Sequence, residues 1–205
     1  MTDDQKRWLV VGIALNKILI PQIRPFVEKG VNVEYNNLKI SRRIHVQGPH
    51  GRLQRWPASS KNLLKYENIN GNVSRPKLHG GKFNYSSFDC QVKSHVDFAK
   101  LYVQGYMAKF TAFDDHCDAS AVLSLLGGVP VFSAAASSAG DVRIARNDWA
   151  HCVFNKWDPA KFQKSFTEME QLIRNMALPS VNERELLEEL KDWETKGNLF
   201  VMFIY

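Results

Sequence analysis

Asp158-Pro-Ala-Lys-Phe162-Gln-Lys-Ser-Phe166-Thr-Glu-Met169-Glu-Gln-Leu172-Ile173-Arg-Asn-Met176 carries the plainest structural signal in the chain. Asp followed by Pro suits a helix N-cap and first helical position, because proline's missing N–H falls where no intrahelical bond is made. Phe162, Phe166, Met169, Leu172 and Ile173 then recur every three or four residues, which predicts a helix over 160–176 with one buried face. Such a face must be covered, and the flanking sequence supplies further helices to cover it.

Upstream, Asp118 is positioned as the N-cap of a short helix, Ala-Ser-Ala-Val-Leu-Ser-Leu-Leu, which Gly127 and Gly128 should end. Pro130 opens a helix expected to run to about Cys152, with Gly140 weakening its middle. Downstream, Pro179-Ser180 separates the 160–176 helix from a last one over 183–195, with Gly197 as its stop and an apolar tail at 199–205. The 92–113 stretch reads as helical, its apolar face made by Val96, Phe98, Ala99, Leu101, Tyr102, Met107 and Phe110.

At the other end, residues 4–29 read as a helix with a broad apolar face of Trp8, Leu9, Val11, Ile13, Leu15, Ile18 and Leu19. Pro21 and Pro25 are expected to kink or break it, and Gly30 to stop it. Asn16 and Lys17 interrupt the apolar run, which is shorter than the roughly 18 residues a membrane span needs, so no membrane contact is expected. Asp3 and Asp4 precede it in place of a basic segment, so it reads as a core helix and not as a signal peptide.

The stretch 31–88 differs in kind. It is rich in Asn, Gly, Pro, Arg and Lys. Asn70-Gly71 and Gly80-Gly81 mark turns. The alternation over 38–46 suggests a short strand, and a small hairpin is expected nearby. Charge is concentrated here. The chain holds 27 Lys plus Arg against 21 Asp plus Glu, and seven of those cations (Lys39, Arg42, Arg43, Arg52, Arg55, Lys61 and Lys65) fall between Tyr35 and Tyr66 with no acid among them. The remainder is close to neutral, so one segment carries the basic character. Arg42, Arg43, Arg52 and Arg55 are the candidates for contact with RNA or another polyanion, and Trp56 beside Arg55 is placed to stack on a base.

Three cysteines, Cys90, Cys117 and Cys152, form no CxxC pair. A secreted disulfide framework is not expected, and a reducing, cytoplasmic setting is. His116-Cys117 and His151-Cys152 lack zinc-ligand spacing, so no metal and no cofactor are expected. His79-Gly80-Gly81-Lys82 lacks the flanking residues of a phosphate loop and reads as a plain turn. The fold expected is mainly α: an up-and-down four- or five-helix bundle over 1–205, with an irregular basic insertion at 31–88 after the first helix.

The candidate chemistry lies in Arg143-Ile-Ala-Arg146-Asn147-Asp148-Trp149-Ala150-His151. An arginine fork can hold a phosphate and stabilise charge gained at phosphorus. An imidazole can take or give a proton to a ribose hydroxyl near neutral pH. Asn147 can orient either group. Spacing alone is unspecific, since Arg43 to His50 is a second match of a looser form. On a straight helix, positions i and i+5 are about 140° apart, so Arg146 and His151 share a face only if the helix ends or distorts near Trp149.

The stretch Ala145-Arg-Asn-Asp-Trp-Ala-His-Cys, with Trp157-Asp-Pro-Ala-Lys-Phe, the helix after it and the Asp118 helix with its paired leucines, resembles the HEPN superfamily. The resemblance covers roughly 92–178. It is nearest to the subgroup found in an animal RING-type ubiquitin ligase and in invertebrate receptor-like chains, although Ala145 stands where that subgroup has a larger apolar residue. The resemblance implies a helical bundle that forms a homodimer. In nuclease members the Arg and His of two protomers build one metal-independent RNA-cleaving cleft. It would make Arg146 the phosphate-binding group, His151 the acid or base and Asn147 their positioner, in an endoribonuclease of innate immunity or RNA regulation. Other HEPN domains are non-catalytic adaptors for dimerisation, nucleotides or partner proteins, and that alternative stands beside the first.

Overall fold

The computed structural model describes residues 1–53, 64–72, 77–79 and 82–202. The fold is mainly α; among the described residues it holds α1 (Asp3–Ile13), α2 (Ile20–Arg42), α3 (His95–Lys100), α4 (Ala119–Gly128), α5 (Ala136–Ala150), α6 (Pro159–Asn175) and α7 (Ser180–Met202), with two short strands, β1 (Lys77–His79) and β2 (Lys82–Asn84). The chain divides into two compact units, one of Met1–Val27 with Asp118–Tyr205, the other of Glu28–Cys117. The second takes in the 31–88 stretch and extends beyond both its ends.

The first unit is the helical bundle. Thr2 opens α1 with a capping box: its hydroxyl accepts from the Gln5 amide, and the Gln5 side chain accepts from the Thr2 amide at 2.8 Å. α1 packs on α5, α6 and α7, and α4 packs on α5. Asp118 and Asp158 cap α4 and α6 as the sequence predicts, accepting from the amides of Ala121 at 2.9 Å and Lys161 at 2.7 Å. α4 meets the next helical segment at 102°. Trp157, Phe162, Phe166, Leu15, Leu19, Ile20 and Ile23 are fully enclosed in the core.

Several elements differ from the sequence expectation. Pro21 and Pro25 do not break the first helix, and Gly30 does not stop it. A π-helical segment, Ala14–Leu19, precedes Pro21, and there the Ile20 amide reaches back five residues to the Leu15 carbonyl. This shift of register falls immediately before Pro21, which follows it in the first turn of α2. Burial of Ile20, Ile23 and Val27 holds the helix together through Pro25. The window of highest hydropathy in Asp3–Arg42 averages 1.3 over 18 residues, enough by length and composition for a membrane span, with 56% of it buried within the fold. α7 likewise runs through Gly197, which is a site of close approach and not a stop. A Cβ there would lie 2.8 Å from Val10 Cγ1 and 2.9 Å from Phe162 Cζ.

In the second unit, residues 38–46 form no strand. α2 continues to Arg42, Arg43 turns left-handed at φ 52°, and a 3₁₀ turn covers Ile44–Val46. The apolar alternation there was misleading, because Ile40 is 82% exposed whereas Ile44 is fully buried. The helix expected over 92–113 shrinks to α3. The carbonyls of Lys100 and Val103 accept from the Asn68 side chain and that of Leu101 from the Lys65 amide, so they are taken by the 65–68 segment instead of a following helical turn. Phe98, Leu101, Val103 and Phe110 are nonetheless buried. The small hairpin is present as antiparallel β1–β2, with Leu78 opposite Phe83. Its Gly80-Gly81 turn lies outside the described residues.

Candidate functional site

α5 has two sides. Ser138, Ala139, Val142 and Ala145 face the core, and Ile144, Asn147, Ala150 and His151 face solvent. Ala145 is 4% exposed. Two residues inside the Arg146–His151 span fix the helix end. Asp148 forms an ion pair with Lys161 of α6. Trp149 stacks on Trp8 of α1 with ring centroids 5.5 Å apart and planes 13° from parallel, and its carbonyl accepts the Trp8 indole N–H at 2.8 Å. Phe154 meets the same Trp8 ring edge-on at 5.1 Å. Arg7 of α1 donates to the Trp157 carbonyl and so ties down the following loop.

Three candidate residues are thereby left on the outside of the bundle unit. The Arg146 guanidinium approaches the Asn147 side-chain oxygen at 3.4 Å and the Asp118 carboxylate at 3.9 Å, with 26% of its side chain exposed. Both contacts are long, and such surface pairs hold an arginine only loosely. His151 caps the helix C-terminus, its amide donating to the Asn147 carbonyl at 3.1 Å. Its imidazole is exposed and has no hydrogen-bond or ion-pair partner among the described residues. Cys152 then leaves the helix in the left-handed region at φ 54°.

α5 ends at Ala150, one residue past Trp149, with no distortion before its end. α5 is regular through Ala150 and His151 is itself right-handed helical, so Arg146 and His151 stand about 140° apart around the axis. Asn147 and His151, four residues apart, share a face. Within the chain, Asn147 thus neighbours each of the other two, while the guanidinium and imidazole lie on different sides of the helix.

Of the basic candidates, Arg42 and Arg43 are exposed at the end of α2. Arg52 is partly exposed and packed: its guanidinium lies 4.2 Å from the Tyr85 ring centroid and donates to the Pro49 carbonyl at 2.7 Å. Arg55 and Trp56 lie outside the described residues. Cys90 and Cys117 are buried and Cys152 is exposed, and none of the three is in a disulfide. Burial pushes the Cys90 thiol up from its ordinary value. Among the described residues no cluster of three His, Cys, Asp or Glu could hold a metal ion.

Two concavities lie elsewhere on the bundle unit. One, of about 150 Å³, is lined by Gln22, Phe26, Leu178, Asn182, Glu185, Leu186 and Glu189. The other, open and about 340 Å³, is bordered by Arg174, Ser180, Glu183 and Arg184. Neither includes the motif. The sequence did not mark Trp8 or Gly12 as supports of the motif, nor Asp118 as a neighbour of Arg146. Only the Asp118 cap was legible locally. No family model, curated protein or solved structure matches the chain.

Proposed function

We propose that this chain is a HEPN-type, metal-independent endoribonuclease that works as a homodimer, with Arg146, Asn147 and His151 as its site. The observation that carries the reading is the placement of all three near one helix end, with Asn147 and His151 exposed and Arg146 partly so, on a turn held from behind by Asp148 and Trp149. The roughly 140° between Arg146 and His151 favours a cleft in which the arginine of one copy meets the histidine of another. Exposed apolar side chains beside the motif, Ile144 at 60%, Val153 at 38% and Phe154 at 36%, support pairing on this face.

In that cleft a neutral His151 takes the proton of a ribose 2′-hydroxyl, and the oxygen attacks the adjacent phosphorus. The bond to the 5′ oxygen breaks, and that oxygen gains a proton from a protonated imidazole or from water. Arg146 neutralises the charge gained by the phosphoryl oxygens. The products are a 2′,3′-cyclic phosphate and a 5′-hydroxyl. Arg42 and Arg43 supply backbone contacts to RNA, in a cytoplasmic defence or regulatory role.

The second reading, a non-catalytic HEPN adaptor, is favoured by the Arg146–Asp118 approach, which directs the guanidinium toward a carboxylate of its own fold. The test is cleavage of a labelled single-stranded RNA in EDTA, followed by identification of the product ends. Cyclic phosphate ends made by the wild type and lost with His151→Ala support the nuclease. Intact RNA with every protein supports the adaptor.

A further inference from the structure

We infer that Trp8 is a positioning residue for His151, acting through the Trp149 carbonyl, with Gly12 keeping open the space this requires. The inference rests on the reading of the α5 end as the functional site.

A helix leaves its last four carbonyls without intrahelical partners, and its last turn frays unless something else binds them. At the end of α5, Asn147 O accepts from the His151 amide and Trp149 O from the Cys152 amide at 3.1 Å. The residue that turns the chain out of the helix is Cys152 at φ 54°. A glycine adopts that conformation without strain, whereas a cysteine must be held in it. The hold comes from α1: the Trp8 indole N–H donates to the same Trp149 carbonyl at 2.8 Å, while the Trp8 ring is clamped between the face of Trp149 and the edge of Phe154. Trp149 precedes His151 by two residues and Phe154 follows it by three. One side chain therefore grips the chain on both sides of the imidazole.

Gly12 makes the grip possible. A Cβ at that position would lie 2.3 Å from Trp149 Nε1 and 2.6 Å from Cε2, so any larger residue must displace the indole. The Trp149 indole N–H is itself buried without a partner. The ring gives up a hydrogen bond in this position and is kept there by stacking and close packing against Gly12. Both supports lie on one face of α1, four residues apart.

The test uses the full chain labelled at histidine and tryptophan, with the His151 signal assigned from a His151→Gln variant. In the wild type the Trp8 indole proton should exchange far more slowly than an exposed indole, which can be read without any substitution. Trp8→Phe keeps an aromatic ring and removes the donor. It should shift and broaden the His151 imidazole resonance while leaving the other five histidines in place, and Gly12→Ala should do the same. Where the wild type cleaves RNA, Trp8→Phe should lower kcat about 10- to 100-fold with little change in KM, the size expected when a catalytic group moves by about an ångström. A folded Trp8→Phe protein with an unmoved His151 signal would overturn the inference, as would free exchange of the Trp8 indole in the wild type. If the wild type does not cleave RNA, the nuclease reading fails, and the resonance and exchange results still decide the role of Trp8.

Discussion

The Asp118 carboxylate serves two neighbours at once: one oxygen accepts the Ala121 amide at 2.9 Å and caps α4, and the other lies 3.9 Å from the Arg146 guanidinium. A helix start and the candidate phosphate-binding group thus share one side chain. Asp118→Asn keeps an oxygen for the cap and removes the charge facing Arg146. RNA binding, followed by fluorescence anisotropy, should strengthen by a factor of about 2 to 5, in keeping with the roughly 0–1 kcal/mol of an exposed pair. Asp118→Ala should in addition lose about 1 kcal/mol of stability in urea unfolding, because the cap goes with it. Weaker binding by Asp118→Asn would mean that Asp118 supports the site instead of competing for its arginine.

Gly197 separates helix propensity from packing. Alanine in the middle of an exposed helix would stabilise it by about 1 kcal/mol over glycine. Here the added Cβ meets Val10 and Phe162 at under 3 Å, so Gly197→Ala should destabilise the protein by about 1–3 kcal/mol. A raised melting temperature would show that α7 does not approach α1 and α6 this closely.

Asn70 and Gly71 form a left-handed pair at φ 53° and 69°, bridged by the Asn72 amide to the Ile69 carbonyl. A Cβ on Gly71 meets nothing within 4 Å, so only the backbone conformation resists substitution. Gly71→Asn should cost less than Gly71→Ala, and Gly71→Val most, in a series spanning about 1–2 kcal/mol. Asn70→Ala should cost more than Gly71→Asn, since the Asn70 amide also donates to the carbonyls of Asp89 and Gln91. Equal unfolding midpoints across the series would contradict this account of the turn.

Tyr66 gives the second unit an alkaline limit. Its ring is buried, and burial pushes the phenol up to about 12, opposed in part by hydrogen bonds from the Leu53 amide and the Gln47 side chain. The folded state therefore holds this proton more tightly than the unfolded chain, whose tyrosines ionise near 10. The associated stability is fully present below pH 10 and is lost as pH rises toward about 12, on the order of 2 kcal/mol. Burial pushes Tyr35 and Tyr85 in the same direction. The slope of stability against pH above 10 should be shallower in Tyr66→Phe. An identical slope would assign the alkaline transition to other groups.

What could be read from the sequence follows from how local its cause is. Asp118 and Asp158-Pro159 start helices through bonds made within three residues, so α4 and α6 were legible almost to the residue. The course of α2 was not, because a π-helical segment and core burial override the local effect of two prolines. Nor was the end of α3, where Asn68 takes carbonyls 32 and 35 residues away. At the site, the exposed face shared by Asn147 and His151 follows from four-residue spacing. The link from Trp8 to Trp149 spans 141 positions and leaves no trace in either segment alone.

In the proposed nuclease the reacting arginine and histidine come from two copies of the chain. Complementation in EDTA tests it most directly: Arg146→Ala and His151→Ala proteins are assayed separately, then mixed and allowed to exchange subunits. Each alone should be inactive, and the mixture should regain RNA cleavage with cyclic phosphate ends, because a mixed dimer holds one intact pair. A wild type that cleaves while the mixture stays inactive after proven subunit exchange would contradict the shared site. Cleavage by either variant alone at the wild-type rate would remove the residue concerned from the chemistry.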